Sequence, residues 1–343
     1  MRILILTALA VLLPVCRLGA APADTLRVDS PYLGTVERVK HVVDRVLDIR
    51  DSYRKSRADT AYLMRTPGRL RLKLTLNAYG SDITTRGGEG GSGFESRLRA
   101  QNKYTTSVSA SYRGLSLSVA FNPAKLAGRN KDYEFNLNAY GNRLGADVIF
   151  QSAKTYEGTV TADERQLDVP VGSVSQEMLT LNAYYVFSGR RFSFPAAFTQ
   201  SWIQRRSHGS FMLGASFMGG RITTDYGDVL GSGSAKLGIV CGALGAGYAY
   251  NWVIKERWLL HISTLPQLVL FSRCRLTTAA GKEKMPYRFP NIIAVGRLAV
   301  VRHFGKYFAG LNAVVNTSHI GDRDELSLGS TKWRAKLFVG IIL

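Results

Sequence analysis

From residue 70 onward, apolar and polar side chains alternate one by one. Leu70, Leu72, Leu74, Leu76 and Ala78 fall on one side of the first such segment, and Arg71, Lys73, Thr75 and Asn77 on the other. A period of two marks a β-strand with one greasy face. The pattern returns at 115–121, 135–139, 144–150, 179–187, 211–217, 237–241, 246–252, 260–262, 298–300, 309–315 and 333–343. One earlier segment has a different period. Leu33, Val36, Val39, Val42, Val43, Val46, Leu47 and Ile49 recur in steps of three and four, which predicts an amphipathic helix over about 33–56. Its other face mixes Glu37, Asp44, Asp48 and Asp51 with Arg38, Lys40, Arg45 and Arg50, so it lacks the unbalanced basic face of a nucleic-acid helix.

The first residues read as an export signal. Arg2 precedes an apolar run over residues 3–15, and Ala21-Pro22-Ala23 fits the small-residue cleavage pattern. The expected organisation is therefore a signal peptide over 1–23, an N-terminal periplasmic or plug segment over 24–66 carrying the helix, and a sheet-built body over 67–343. Export leaves Cys241 and Cys274, each inside a strand-like run, which read as small buried apolar side chains rather than as a disulfide pair.

Alternation alone fits a soluble sandwich as well as a membrane barrel. Connection lengths separate the two. Residues 81–103, 156–176, 272–290 and 318–331 are long, while 113–114, 141–143, 251–256 and 305–306 are short. Alternating long and short connections are the rule for outer-membrane barrels, with the short turns in the periplasm. Residues 189–208 break the rule: a short turn is due and a long segment stands there, open to reading as an inner plug, a periplasmic cap or extra strands. No apolar run after the signal reaches the ~20 residues of a spanning helix. The chain carries 45 Lys+Arg against 25 Asp+Glu, a formal charge of +20, yet the central apolar rows hold no charge. A Lys or Arg facing lipid at mid-bilayer would cost ~2–4 kcal/mol. Tyr79, Tyr104, Tyr112, Tyr140, Tyr248, Trp252, Trp258, Tyr307 and Trp333 sit near run ends, as interfacial girdles require.

The predicted fold is all-β: a transmembrane, antiparallel, up-and-down β-barrel of about 12 strands preceded by a short N-terminal amphipathic helix. The expected location is the outer membrane, with both termini periplasmic. Expected partners are outer-membrane lipid and lipopolysaccharide, with a periplasmic partner open to the helix and no nucleic acid.

Certain motifs carry a resemblance. Asp59-Thr60-Ala61-Tyr62-Leu63, the hairpin Ser111-Tyr112-Arg113-Gly114-Leu115-Ser116-Leu117-Ser118, Arg191-Phe192-Ser193-Phe194-Pro195-Ala196-Ala197-Phe198 and Gln204-Arg205-Arg206-Ser207-His208-Gly209-Ser210 are similar to a Bacteroidetes family of unknown function, domain family 4421. The resemblance spans roughly residues 55–343. It implies an outer-membrane barrel of undetermined activity and brings no catalytic or ligand residues with it.

Candidate chemistry is sparse. His208 and Ser210 share one strand face two residues apart, the spacing of a base and the hydroxyl it activates, with Asn182 as a candidate orienter; a lipid-modifying hydrolase would use them. Residues 87–93 are Gly-rich but lack the Lys-Ser/Thr of a phosphate-binding loop. Asp322, Asp324 and Glu325 lack calcium-loop spacing, and no Cys/His cluster suggests a metal or other cofactor. The basic excess offers more. Arg71, Lys73, Arg334 and Lys336 lie on the first and last strands, which become neighbours when a barrel closes. They would form a positive stripe on the inner wall, serving an anion passage, a docked acidic segment, or internal salt bridges with residues such as Glu134 and Asp147. Three functions follow: a non-enzymatic, porin-like scaffold or narrow channel with a basic lumen, a hydrolase using His208 and Ser210, or an exported soluble β-sandwich that binds polyanions.

Overall fold

The computed structural model describes residues 58–66, 70–87, 93–112, 115–121, 133–162, 165–225, 234–278, 281–284, 287, 289–322 and 326–343. The signal peptide expected at 1–23 and the helix expected at 33–56 lie outside the described residues. The described chain begins with β1 (Leu63–Arg65), β2 (Leu70–Gly87), β3 (Phe94–Ala100), β4 (Lys103–Tyr112), β5 (Leu115–Phe121) and β6 (Tyr133–Tyr140). β7 (Leu144–Ala153), β8 (Tyr156–Ala162), β9 (Arg165–Val169) and β10 (Val174–Val186) follow. Helix α1 (Phe194–Phe198) precedes β11 (Trp202–Gln204), β12 (His208–Asp225), β13 (Ser234–Ile254) and β14 (Trp258–Thr278). β15 (Gly281–Lys284), β16 (Ile292–Phe304), β17 (Tyr307–Gly321) and β18 (Leu326–Ile342) complete it.

Apart from β1 and β11, these strands form one curled antiparallel sheet. Twelve make its wall: β2, β4 to β7, β10, β12 to β14 and β16 to β18, each mostly paired with its neighbour in sequence. The last is paired along its length with the first, Leu337 opposite Leu76 and Ile341 opposite Leu72. A one-sheet architecture corrects the sandwich alternative, since the greasy face of the curl has no second sheet against it among the described residues. No ladder joins β5 to β6 among these residues; β3 instead pairs with β8, linking the two sides of that seam.

The long and short connections sort to opposite ends as expected. Residues 141–143, 255–257 and 305–306 are tight turns at the end where Leu343 bonds back to Leu70. Lys255 and Glu256 both take positive φ, 51° and 55°, the backbone of a primed hairpin turn without its usual Asn-Gly sequence. Runs 237–241 and 246–252 belong to a single strand, β13.

Alternation sets the two faces. Leu74, Leu76, Leu181, Leu213, Leu244, Ile262, Leu298, Leu311 and Leu337 are exposed on the convex side. Their neighbours Thr75, Asn77, Asn182, Met212, Ala243, Ser263, Arg297, Asn312 and Phe338 are buried on the concave side. That interior is layered. An apolar cluster around Phe192, Phe194, Met212, Leu259 and Phe338 fills the short-turn end. A second, including Ile83, Tyr156, Met218, Ile239 and Ile320, fills the long-loop end.

Candidate functional site

The segment between β10 and β12, whose fate the sequence left open, enters the concave space as a plug. Ser193 starts α1: its backbone is extended (φ −138°, ψ 110°) and its hydroxyl accepts from the Ala196 amide at 3.3 Å, an N-cap with Pro195 in the first turn. The helix lasts only 5 residues, all of them buried. Phe194 packs against Tyr184 and His261 with ring centroids 4.8 and 5.0 Å away, and Phe198 lies 5.2 Å from His261. Each such ring removed from water contributes about 1.5–3 kcal/mol. Tyr184 can lie flat because its register partner is Gly145, where a Cβ would fall 2.1 Å from the ring.

The motifs carrying the family resemblance meet here. Leu63 pairs with Gln204, Met64 with Ile203 and Arg65 with Trp202. Arg191 donates to Asp59 at 2.9 Å and lies over the Tyr62 ring at 5.2 Å. That guanidinium hydrogen bond holds the Asp59 carboxyl below the usual carboxylate range. The residues just before β2 and those after β10 thus form one tethered body, the two halves of the plug.

A buried polar chain ties the plug to the wall. Gln204 accepts from the Ser193 amide and from Asn251 Nδ2, both at 3.1 Å, and donates to Arg191 O and Arg206 O. Asn251 Nδ2 also donates to Ser193 O at 3.1 Å. With its amide nitrogen so committed, Asn251 Oδ1 must accept from His261 Nδ1 at 2.7 Å. His261 Nε2 is then the acceptor for the Ser263 hydroxyl at 3.0 Å. The order serine, histidine, asparagine is that of an activated nucleophile. All three side chains are buried, however, and Phe192, Phe194 and Phe198 cover the imidazole. In this arrangement the chain works as a latch.

Above the latch lies a buried ion pair. Arg297 Nη2 donates to Asp147 Oδ2 at 2.9 Å, with side-chain exposures of 0 % and 4 %. The guanidinium stacks over Tyr184 at 5.3 Å and Phe194 at 5.9 Å, so one cation joins β7, β10, β16 and the plug. The sequence offered Asp147 as a salt-bridge partner for the basic stripe; its partner in the structure is instead Arg297, on the polar side of the run containing Leu298 and Val300.

The stripe residues fall on adjoining strands, with Lys336 opposite Asn77, Arg334 opposite Tyr79, and Arg71 and Lys73 lower on β2. The structure divides them by height. Arg71 points Nη1 at the plug carbonyl of Gln200 at 3.5 Å, and Lys73 lies 5.2 Å from the Phe338 ring. Arg334, with Lys103, Lys332, Gln151 and Asn316, lines a recess between the two apolar layers.

His208 and Ser210 have separate partners. His208 meets Tyr62 edge-on at 5.2 Å. Ser210 Oγ accepts from the Ser188 amide at 2.9 Å and donates to Phe211 O at 2.8 Å. Asn182 turns to Ser216 and Asn316. Cys241 and Cys274 are free and buried on neighbouring strands, offset by two residues, with Cys241 opposite Ser272. Among the described residues no group of His, Cys, Asp and Glu could hold a metal ion.

Similar solved structures include the outer membrane protease OmpT of Escherichia coli, 5 % identical, with a TM-score of 0.42 over 82 % of this chain and 98 % of that one. The toluene transporter TodX of Pseudomonas putida is 9 % identical, with a TM-score of 0.26 over 81 % of this chain and 91 % of that one. The translocator domain of the autotransporter NalP from Neisseria meningitidis is 10 % identical, with a TM-score of 0.27 over 89 % of this chain and 97 % of that one. Comparison with curated proteins gives no match. The model of DUF4421, a domain of unknown function, matches residues 57–341, nearly all of the described chain, and the protein belongs to that family.

Proposed function

We propose that the protein is a closed, twelve-stranded outer-membrane β-barrel, a non-enzymatic scaffold whose lumen is stopped by its own plug. The short-turn end, the plug and both termini face the periplasm, and outer-membrane lipid and lipopolysaccharide surround the wall. The observation that carries this reading is the convex face. From Trp258 to Phe271 the outward side of β14 holds Leu260, Ile262, Leu268 and Leu270 without a charge. Those thirteen steps climb about 30 Å at ordinary rise and tilt, the thickness of a bilayer's hydrocarbon core. Soluble monomers rarely expose apolar patches beyond a few hundred Å². The girdle at the short-turn end includes Trp252, Trp258 and Tyr307, with Arg302 stacked on Trp258 at 5.0 Å.

Planar-bilayer recording tests the stopped lumen. The wild type is expected to insert without ohmic conductance. Phe194→Asp, which places a charge in the aromatic nest, is expected to give conducting events that favour anions, because Arg71, Lys73, Arg334 and Lys336 line the path. Steady conductance by the wild type would contradict the proposal.

A further inference from the structure

On the convex face beyond the apolar belt, at the long-loop end, basic residues gather on neighbouring strands. Register places Arg221, Gly238, Arg275 and Lys284 in one row across β12 to β15. Arg273 lies below it, opposite Val240, while Lys236 and Lys282 lie above it, both opposite Thr277. The row continues the outward side that carries exposed Val240 and Phe271. Neighbouring strands are about 4.8 Å apart, so Arg221 and Arg275 flank Gly238 roughly 10 Å from each other, with no side chain on the floor between them. Two carboxylates share this face: Glu177, paired with Arg221 at 2.5 Å, and Asp225. Among the described residues Lys236, Arg273, Arg275, Lys282 and Lys284 make no ion pair. The equivalent height on β2 and β3 is different: there Arg86 and Arg97 share Glu95, and Arg99 takes Asp82.

We infer that this row is a docking site for the phosphate groups of outer-leaflet glycolipid. The inference rests on the proposed membrane placement, which sets the row just outside the hydrocarbon core. Charge complementarity selects the ligand. Uncompensated guanidinium and ammonium groups suit a phosphate monoester, which Arg grips through paired N–H donors. The apolar belt directly below receives the acyl chains of the same molecule. One lipid therefore satisfies both surfaces at once, as a free phosphate does not.

The test uses full-length protein in phosphatidylcholine nanodiscs containing either bisphosphorylated lipid A or the same lipid with its phosphates removed. Lipid kept through purification is read by mass spectrometry. Wild type is expected to retain the phosphorylated form about tenfold better, as charge-assisted hydrogen bonds allow. Arg275→Gln with Lys284→Gln is expected to abolish the preference, and Arg97→Gln with Arg99→Gln to preserve it. Equal retention of the two lipids by the wild type, or a preference that survives the Arg275/Lys284 change, overturns the inference and leaves the barrel reading intact. Failure of the wild type to enter the discs overturns both.

Discussion

Arg297→Ala is expected to lower unfolding free energy by about 3–5 kcal/mol, because it strands the Asp147 carboxylate where water cannot reach it. The pair is almost wholly enclosed, and the same substitution removes the cation stacked on Tyr184 and Phe194, so plug and wall loosen together. The loss belongs to an unpaired charge rather than to missing volume, and the partner substitution separates the two. Arg297→Met with Asp147→Leu keeps the space filled and is expected to recover most of the stability, as buried ion pairs replaced by apolar side chains often do. Tryptophan fluorescence during urea unfolding in detergent measures both. Equal losses in the single and double variants would show that packing, not charge burial, governs this layer.

The second large effect falls on the other face of the same wall. Leu74→Arg is expected to block stable assembly in the membrane, at a cost of about 2–4 kcal/mol for a cation held against acyl chains. One residue away, Lys73→Gln is expected to cost no more than about 1 kcal/mol, the worth of an ammonium on an aromatic ring, since Lys73 lies inside against Phe338. Heat-modifiable migration of the membrane fraction on gels reads folded against unfolded protein. Equal tolerance of both substitutions would mean that the faces are reversed.

How much of this was visible beforehand follows from what each part must satisfy. The alternating runs were legible because a wall with one greasy side imposes period two on every strand, and Leu74 and Leu76 are indeed exposed where Thr75 and Asn77 are buried. β4 escaped the list of runs because Thr105, Ser107, Ser109 and Ser111 alternate with Thr106 as well as with Val108 and Ala110, which blurs the contrast between faces. That the strand of Arg71 and Lys73 adjoins the strand of Arg334 and Lys336 was legible from closure alone. Their division between plug and recess was not, because residues 189–208 have no period to follow. Contacts that depend on the curl were least visible of all. Arg297 and Asp147 are 150 residues apart, and only bending of the sheet brings β16 across to β7. The latch is hidden for a related reason: Gln204, Asn251, His261 and Ser263 come from three elements, and a His-x-Ser spacing occurs twice, at 208 and at 261, with different partners each time. The turn at Lys255 and Glu256 was placed by its length, although its left-handed backbone has no Gly or Asn to announce it.

Collision of spin labels with oxygen and with a water-soluble nickel chelate tests the central claim most directly, using single labels at Leu76, Leu244 and Leu298 in the reconstituted protein. The account predicts strong relaxation by oxygen and weak relaxation by the chelate at all three sites, the mark of hydrocarbon. Chelate-dominated relaxation there would put the greasy rows in water and contradict it.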